Sequence, residues 1–114
     1  MKVELTRFRV NAGKSEQVRR WLEMLNNRMP EVLQTLDREK MYVEVIFREE
    51  KNGEEFLYWF SVQGEGGDLC TTSPYDVDKK HLEFWQECID REFGKEELKP
   101  EVVMIPARIL ALMK

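Results

Sequence analysis

Two apolar runs within residues 41–63, joined by Lys51-Asn52-Gly53-Glu54, constrain this chain more than any other stretch. A two-residue type I′ turn needs positive φ at both central positions, which Asn-Gly tolerates, so the pair predicts a β-hairpin. Lys51 then stands opposite Glu54, and counting outward sets Phe47 against Tyr58, Val45 against Phe60 and Val43 against Val62. Residues opposite one another share a face. One face therefore collects Val43, Val45, Phe47, Phe56, Tyr58, Phe60 and Val62, and reads as the core face. The other holds Tyr42, Glu44, Ile46, Arg48, Leu57, Trp59, Ser61 and Gln63. Trp59 beside Ile46 on this mixed face implies a cover, most simply a second copy of the chain packed sheet to sheet.

The remaining segments build around that hairpin. Residues 3–10 alternate as a strand, with Val3 and Leu5 on one parity and Phe8 and Val10 on the other, a change that suggests a bulge near Thr6 and Arg7. Asn11-Ala12-Gly13 is a turn, and Ser15 is a helix N-cap. Val18, Trp21, Leu22, Leu25, Met29, Val32, Leu33 and Leu36 then fall on one helical stripe. Pro30 interrupts it; inside a helix a proline costs ~3 kcal/mol, so a kink or two abutting helices are expected.

After Gln63, the run Gly64-Glu65-Gly66-Gly67-Asp68 lacks the GK[ST] of a phosphate loop. It reads as a surface loop, long enough to serve as a lid over a pocket. Ser73-Pro74-Tyr75-Asp76 opens a second helix, with Ser73 as N-cap and Pro74 in the first turn. Its stripe of Val77, Phe84, Trp85, Cys88 and Ile89 contains His81, and Gly94 ends it. Residues 95–101 form a charged connector, and residues 102–113 alternate as a last strand that Pro106 keeps from the sheet centre. The order β-α-β-β-α-β is the ferredoxin-like α+β unit: a four-stranded antiparallel sheet with two helices on one face.

At 114 residues the chain is long enough for a single domain, residues 1–114, without disulfides or metal. A net charge of −4 argues against a general nucleic-acid binder, whose affinity rests on neutralising phosphates. No apolar run approaches the ~20 residues of a membrane span, and the start at Met1-Lys2 has no signal-peptide character, so a cytoplasmic protein free of membrane attachment is expected. Cys70 and Cys88 lie far apart in sequence and read as reduced thiols. With a single histidine no metal set is expected, and the sequence carries no cofactor-binding pattern.

His81 is therefore the one imidazole available for acid–base work. On an apolar helix face it is either a core residue bonded to a carbonyl or a pocket group. Glu44, mid-strand on the mixed face, needs a partner if buried, and Arg108 or Arg7 would serve. The alternative is an acid–base role. Tyr58, Trp59 and Trp85 supply a candidate aromatic wall with Arg108 as a polar ligand contact, while Trp21 reads as core. Phe56, Tyr58 and Phe60 imitate the aromatic strand of an RNA-recognition domain, but Glu54-Glu55 stands where a basic residue and glycine belong.

The strand-one ending Phe8-Arg9-Val10-Asn11-Ala12-Gly13-Lys14 and the helix-two segment His81-Leu82-Glu83-Phe84-Trp85, taken with the element order, resemble the dimeric α/β-barrel superfamily, and within it a small bacterial family with no assigned activity. The resemblance implies a homodimer formed through the sheet face. Its members include cofactor-independent and haem-degrading monooxygenases and sugar mutarotases. The haem-degrading type uses a strand-one asparagine, a strand-three tryptophan and a helix-two histidine; Trp59 and His81 match the last two, and Thr6 stands on strand one. The mutarotase type carries a helix-one histidine after paired basic residues, where this chain has Arg19-Arg20 followed by Trp21. The expectation is a small organic molecule bound or transformed between helix two and the sheet, in a monooxygenase- or isomerase-like manner, with His81 and Glu44 as catalytic candidates. A non-catalytic homodimeric structural or protein-interaction module is the alternative.

Overall fold

The hairpin forms in the expected register. In the computed structural model, which describes residues 1–113, strand β2 (Met41–Lys51) pairs with β3 (Glu54–Gln63) so that Lys51 faces Glu54, Phe47 faces Tyr58 and Val43 faces Val62. Asn52 at φ 53° and Gly53 at φ 79° supply the two left-handed positions of the turn. Strand β1 (Lys2–Arg9) lies against β3, and β4 (Glu96–Leu98) against β1, giving an antiparallel sheet in the order β2-β3-β1-β4. Helices α1 (Ser15–Asn27) and α2 (Met29–Glu39) connect β1 to β2, and α3 (Asp76–Cys88) follows β3. This is the ferredoxin-like arrangement. Pro30 divides the long apolar stripe into two helices, because its missing amide is tolerated only in a first turn.

The assignment of the two sheet faces is reversed. The helices cover the mixed face: fully buried Leu57 packs with Val10, Val18, Trp21, Cys88 and Ile89, and Phe8, Ile46, Trp59 and Trp85 border that cluster. The apolar face is the open one, with Phe47 56% and Val45 37% exposed. Strand β1 supplies the reason. Its register is unbroken from Lys2↔Gln63 to Arg9↔Phe56, with no bulge at Thr6, and it sets Phe8 opposite Leu57. Phe8 and Val10 therefore share the face of Leu57 and Trp59, where they meet Trp85 and the helices; the irregularity in the sheet lies at Met41/Val43 instead. On the open face Phe56 is shielded by the Arg7 guanidinium, 3.9 Å from its ring centroid, and by the ring of Phe93.

Helix ends and the C-terminal strand also differ from expectation. Ser15 is already the first residue of α1, and its hydroxyl accepts a 2.7 Å hydrogen bond from Arg48 of β2 rather than capping an amide. Ser73 accepts from the Tyr75 amide in a turn ahead of α3, which begins at Asp76 and closes at Cys88, short of Gly94. Beyond Cys88 the chain is fixed by backbone pairing between Val10 and Ile89 and by the Arg9–Asp90 ion pair at 2.7 Å. The fourth strand is the short charged segment 96–98, not residues 102–113. Those residues leave the sheet as an extended arm ending in a short helix α4 (Ala107–Leu110), with Val102, Met104 and Leu112 all more than 70% exposed. Pro106 cannot donate to a ladder and stands as the N-cap of α4.

Candidate functional site

The stripe of helix one serves two purposes after Pro30 divides it. Val18 and Trp21 of α1 fill the core, whereas Met29, Val32 and Leu36 of α2 face an open space between α2, α3 and the sheet. That space is a cavity of about 650 Å³, the size of small-molecule sites. Its floor is the helix-covered sheet face, with Thr6, Glu44, Trp59 and Ser61, and α3 contributes Asp78, His81 and Trp85. Glu44, Ser61 and Gln63, three of the polar residues that made this face look mixed, line the cavity.

His81 sits in a cage of aromatic rings, with centroids of Trp21, Trp59 and Trp85 at 5.4, 5.6 and 6.2 Å. The Trp21 indole N–H donates to His81 Nδ1 at 2.9 Å. This bond fixes the tautomer, because a neutral imidazole that accepts at Nδ1 carries its proton on Nε2. Burial lowers the His81 pKa to about 4, against the pull of the Asp78 charge, so the ring is neutral at ordinary pH. It is held by a side chain of the opposite helix, not by a carbonyl.

Three carboxyl groups border the same space. Glu39 closes α2, where Lys40 in the left-handed conformation at φ 57° ends the helix and turns the chain directly into β2. Burial, with the charges of Glu44 and Asp78, raises Glu39 to about 7. Burial also raises Glu44, partly opposed by a hydrogen bond from the Trp59 indole. Asp78 is only 7% exposed, and its Oδ2, like Oε2 of Glu39, is buried without a hydrogen-bond partner. Cys70, raised to about 12 by burial first and then by Asp78 and Glu39, keeps its proton and is no nucleophile. Among the described residues no group of three or more His, Cys, Asp or Glu could hold a metal ion.

The glycine loop is a wall of this cavity. It is anchored by amide bonds from Gly64 to the Lys40 carbonyl (2.7 Å) and from Asp68 to the Arg38 carbonyl (2.9 Å), with an Arg38–Asp68 ion pair at 3.0 Å. Gly67 lies so close to α2 that a Cβ there would stand 2.0 Å from the Glu39 carbonyl oxygen. This approach lets Leu69 and Cys70 reach the carboxyl end of the cavity.

Of the residues singled out in the sequence, Glu44, Trp59, His81 and Trp85 come together here. Tyr58 does not: it lies on the opposite face and donates to Glu49 at 2.8 Å. Arg108 is exposed in the arm, and Arg7 pairs with Glu96 on the open face, so neither meets Glu44. Glu39 and Asp78 escaped the sequence reading. A signal existed for Asp78, since Asp78, His81 and Trp85 follow the i, i+3, i+7 spacing of one helix face. Glu39 had none, as it is brought in by a helix end and a loop contact.

The fold and cavity define a ferredoxin-like α+β protein with an acidic, tryptophan-walled pocket between helices and sheet. The chain belongs to the family of unknown function DUF6176, whose model matches residues 1–111. No curated protein matches it. Among solved structures it is similar to the L-rhamnose mutarotase FA22100 from Formosa agariphila, at 17% identity and a TM-score of 0.51, over 93% of this chain and 99% of that one. At that identity the likeness is one of fold. No helix among the described residues is long and apolar enough to cross a membrane.

Proposed function

We propose that this chain binds a small polar organic molecule in the cavity and moves protons on it, an isomerase-type reaction in keeping with the mutarotase whose fold it shares. The observation that carries this reading is one cavity holding both a neutral imidazole fixed as an Nε2–H donor and a carboxyl group raised to about 7. A group with its pKa near ambient pH is best placed to give and take a proton. Glu39 is the candidate proton carrier and Glu44 its second. His81, too reluctant to charge to act as a base, donates a hydrogen bond to an oxygen of the substrate. The tryptophan rings supply flat apolar walls for its carbon skeleton.

Opening a cyclic hemiacetal needs a proton taken from the anomeric hydroxyl and one delivered to the ring oxygen. An ionised carboxylate of the Glu39–Glu44 pair takes the first, the protonated member of the pair gives the second, and His81 holds a substrate oxygen by hydrogen bond without transferring its proton. The test is interconversion of L-rhamnose anomers followed by NMR exchange. The wild-type chain accelerates it, and Glu39→Gln reduces the rate by about 10²-fold or more. No acceleration by the wild-type chain, or equal rates for the two proteins, removes the mutarotase reading.

A second reading concerns assembly and is favoured by the open face and the arm. Phe47, Val45 and Leu98 on the face and Val102, Met104 and Leu112 on the arm are exposed apolar groups of the same chain. Two copies related by a two-fold axis would bury face and arm together. The homodimer thus uses the apolar face, not the one carrying Trp59. Sedimentation equilibrium tests it, with a dimer expected at micromolar concentration; a monomer there removes it.

A further inference from the structure

We propose that the carboxyl end of the cavity is a site for an organic cation: an ammonium group carried on a small body that also bears an oxygen acceptor. The inference rests on the cavity being a small-molecule site, and narrows what it takes. Its central observation is Asp78, which is 7% exposed and lines the cavity with Oδ2 unpartnered. Oε2 of Glu39, on a different helix, is unpartnered on the same cavity. Glu44 adds a third carboxyl from the sheet, and each of the three raises or is raised by another. None of the ion pairs among the described residues reaches Glu39, Glu44 or Asp78. The other acids on the wall are paired, Glu4 with Lys2 and Asp68 with Arg38. Lys95, the one lysine or arginine on the wall among the described residues, is engaged by Glu97 at 3.0 Å.

Buried carboxylates without compensating charge are costly, and a neutral polyol could satisfy their oxygens without offsetting their repulsion. An ammonium group does both, with three N–H donors directed at oxygens from separate elements. Trp59 and Trp85, whose indole rings line the same cavity, favour a cation further. The absence among the described residues of a metal-spaced set of ligands makes a diffuse organic cation the better fit. His81, offering Nε2–H, calls for an oxygen acceptor elsewhere on the ligand.

The test compares 2-amino-1-phenylethanol with 1-phenylethane-1,2-diol, which differ only in an ammonium for a hydroxyl, by calorimetric titration of the full chain at pH 7.5. The amine is expected to bind about tenfold or more tighter, as for hydrogen bonds to charged groups. That advantage should shrink in both Asp78→Asn and Glu39→Gln; the second, at a helix end, serves if the first fails to fold. Equal binding, preference for the diol, no binding of either compound, or an advantage unchanged in the folded variants overturns the proposal. Mutarotation of neutral L-rhamnose by the wild-type chain alongside a failed amine preference would leave the acid–base reading standing while this one falls.

Discussion

The two faces of the sheet differ in a way that inverts the usual reading of hydrophobic pattern. Along β2 and β3 the open face carries the more continuous apolar run, Val43, Val45, Phe47, Tyr58 and Phe60, yet Phe47 is 56% exposed. The helix-covered face carries Glu44, Ser61 and Thr6 among Leu57, Ile46 and Trp59, and encloses both the core and a cavity of about 650 Å³. Apolar content therefore does not say which face a chain buries within itself. A face that lines a cavity can be less purely apolar than an open one, because a cavity needs a few placed polar groups.

Substitution at Trp21 should break the covered face most severely. The side chain is fully buried and also holds His81, so Trp21→Ala should lose about 3–5 kcal/mol in denaturant unfolding. Trp21→Phe should lose about 1–3 kcal/mol, the cost of leaving the His81 nitrogen without its donor. On the open face, Phe47→Asp should leave the fold intact by circular dichroism while removing in sedimentation the association proposed for that face. A dimer that survives it would mean that association uses another surface.

The covered face should also be the pH-sensitive one. Glu39 holds its proton more tightly folded, at about 7, than at its ordinary 4.5, so its contribution is present below pH 4.5 and lost as pH rises through 7. His81 runs the other way: with its pKa at about 4 against 6.5, its contribution is present above pH 6.5 and lost as pH falls through 4. The two partly offset between pH 4.5 and 6.5. Glu39→Gln should therefore stabilise the chain more at pH 8 than at pH 5 relative to wild type, read as melting temperature. Glu44, raised in the same direction, retains part of the alkaline loss. The smallest effect is expected at Tyr58→Phe, whose hydroxyl bonds Glu49 on the open face, at under about 1 kcal/mol and with no change in ligand binding.

Local rules made much of the architecture legible. Asn52-Gly53 determined the hairpin and its register, Pro30 divided the helix, and helical spacing set Val18, Trp21, His81 and Trp85 on inward faces. The same spacing held Asp78, unread because an acidic residue on a helix passes for solvated surface. These features depend on φ preferences and side-chain periods a few residues long, which the sequence itself contains.

Tertiary structure decided what depends on contacts distant in sequence. Which sheet face the helices cover was settled by the pairing of Phe8 with Leu57, outside the reach of the hairpin's own pattern. Residues 102–113 alternate like a strand but leave the sheet, since alternation records two sides without naming the neighbour that covers either. The site is of the same kind. Glu39, Glu44, Asp78 and His81 belong to three elements, and only α2's left-handed end at Lys40, the close approach of Gly67 and the Trp21 hydrogen bond bring them around one cavity. The shifted acidity of Glu39, Glu44 and His81 follows from that enclosure, because burial and neighbouring charge, not residue type, shift a proton's affinity.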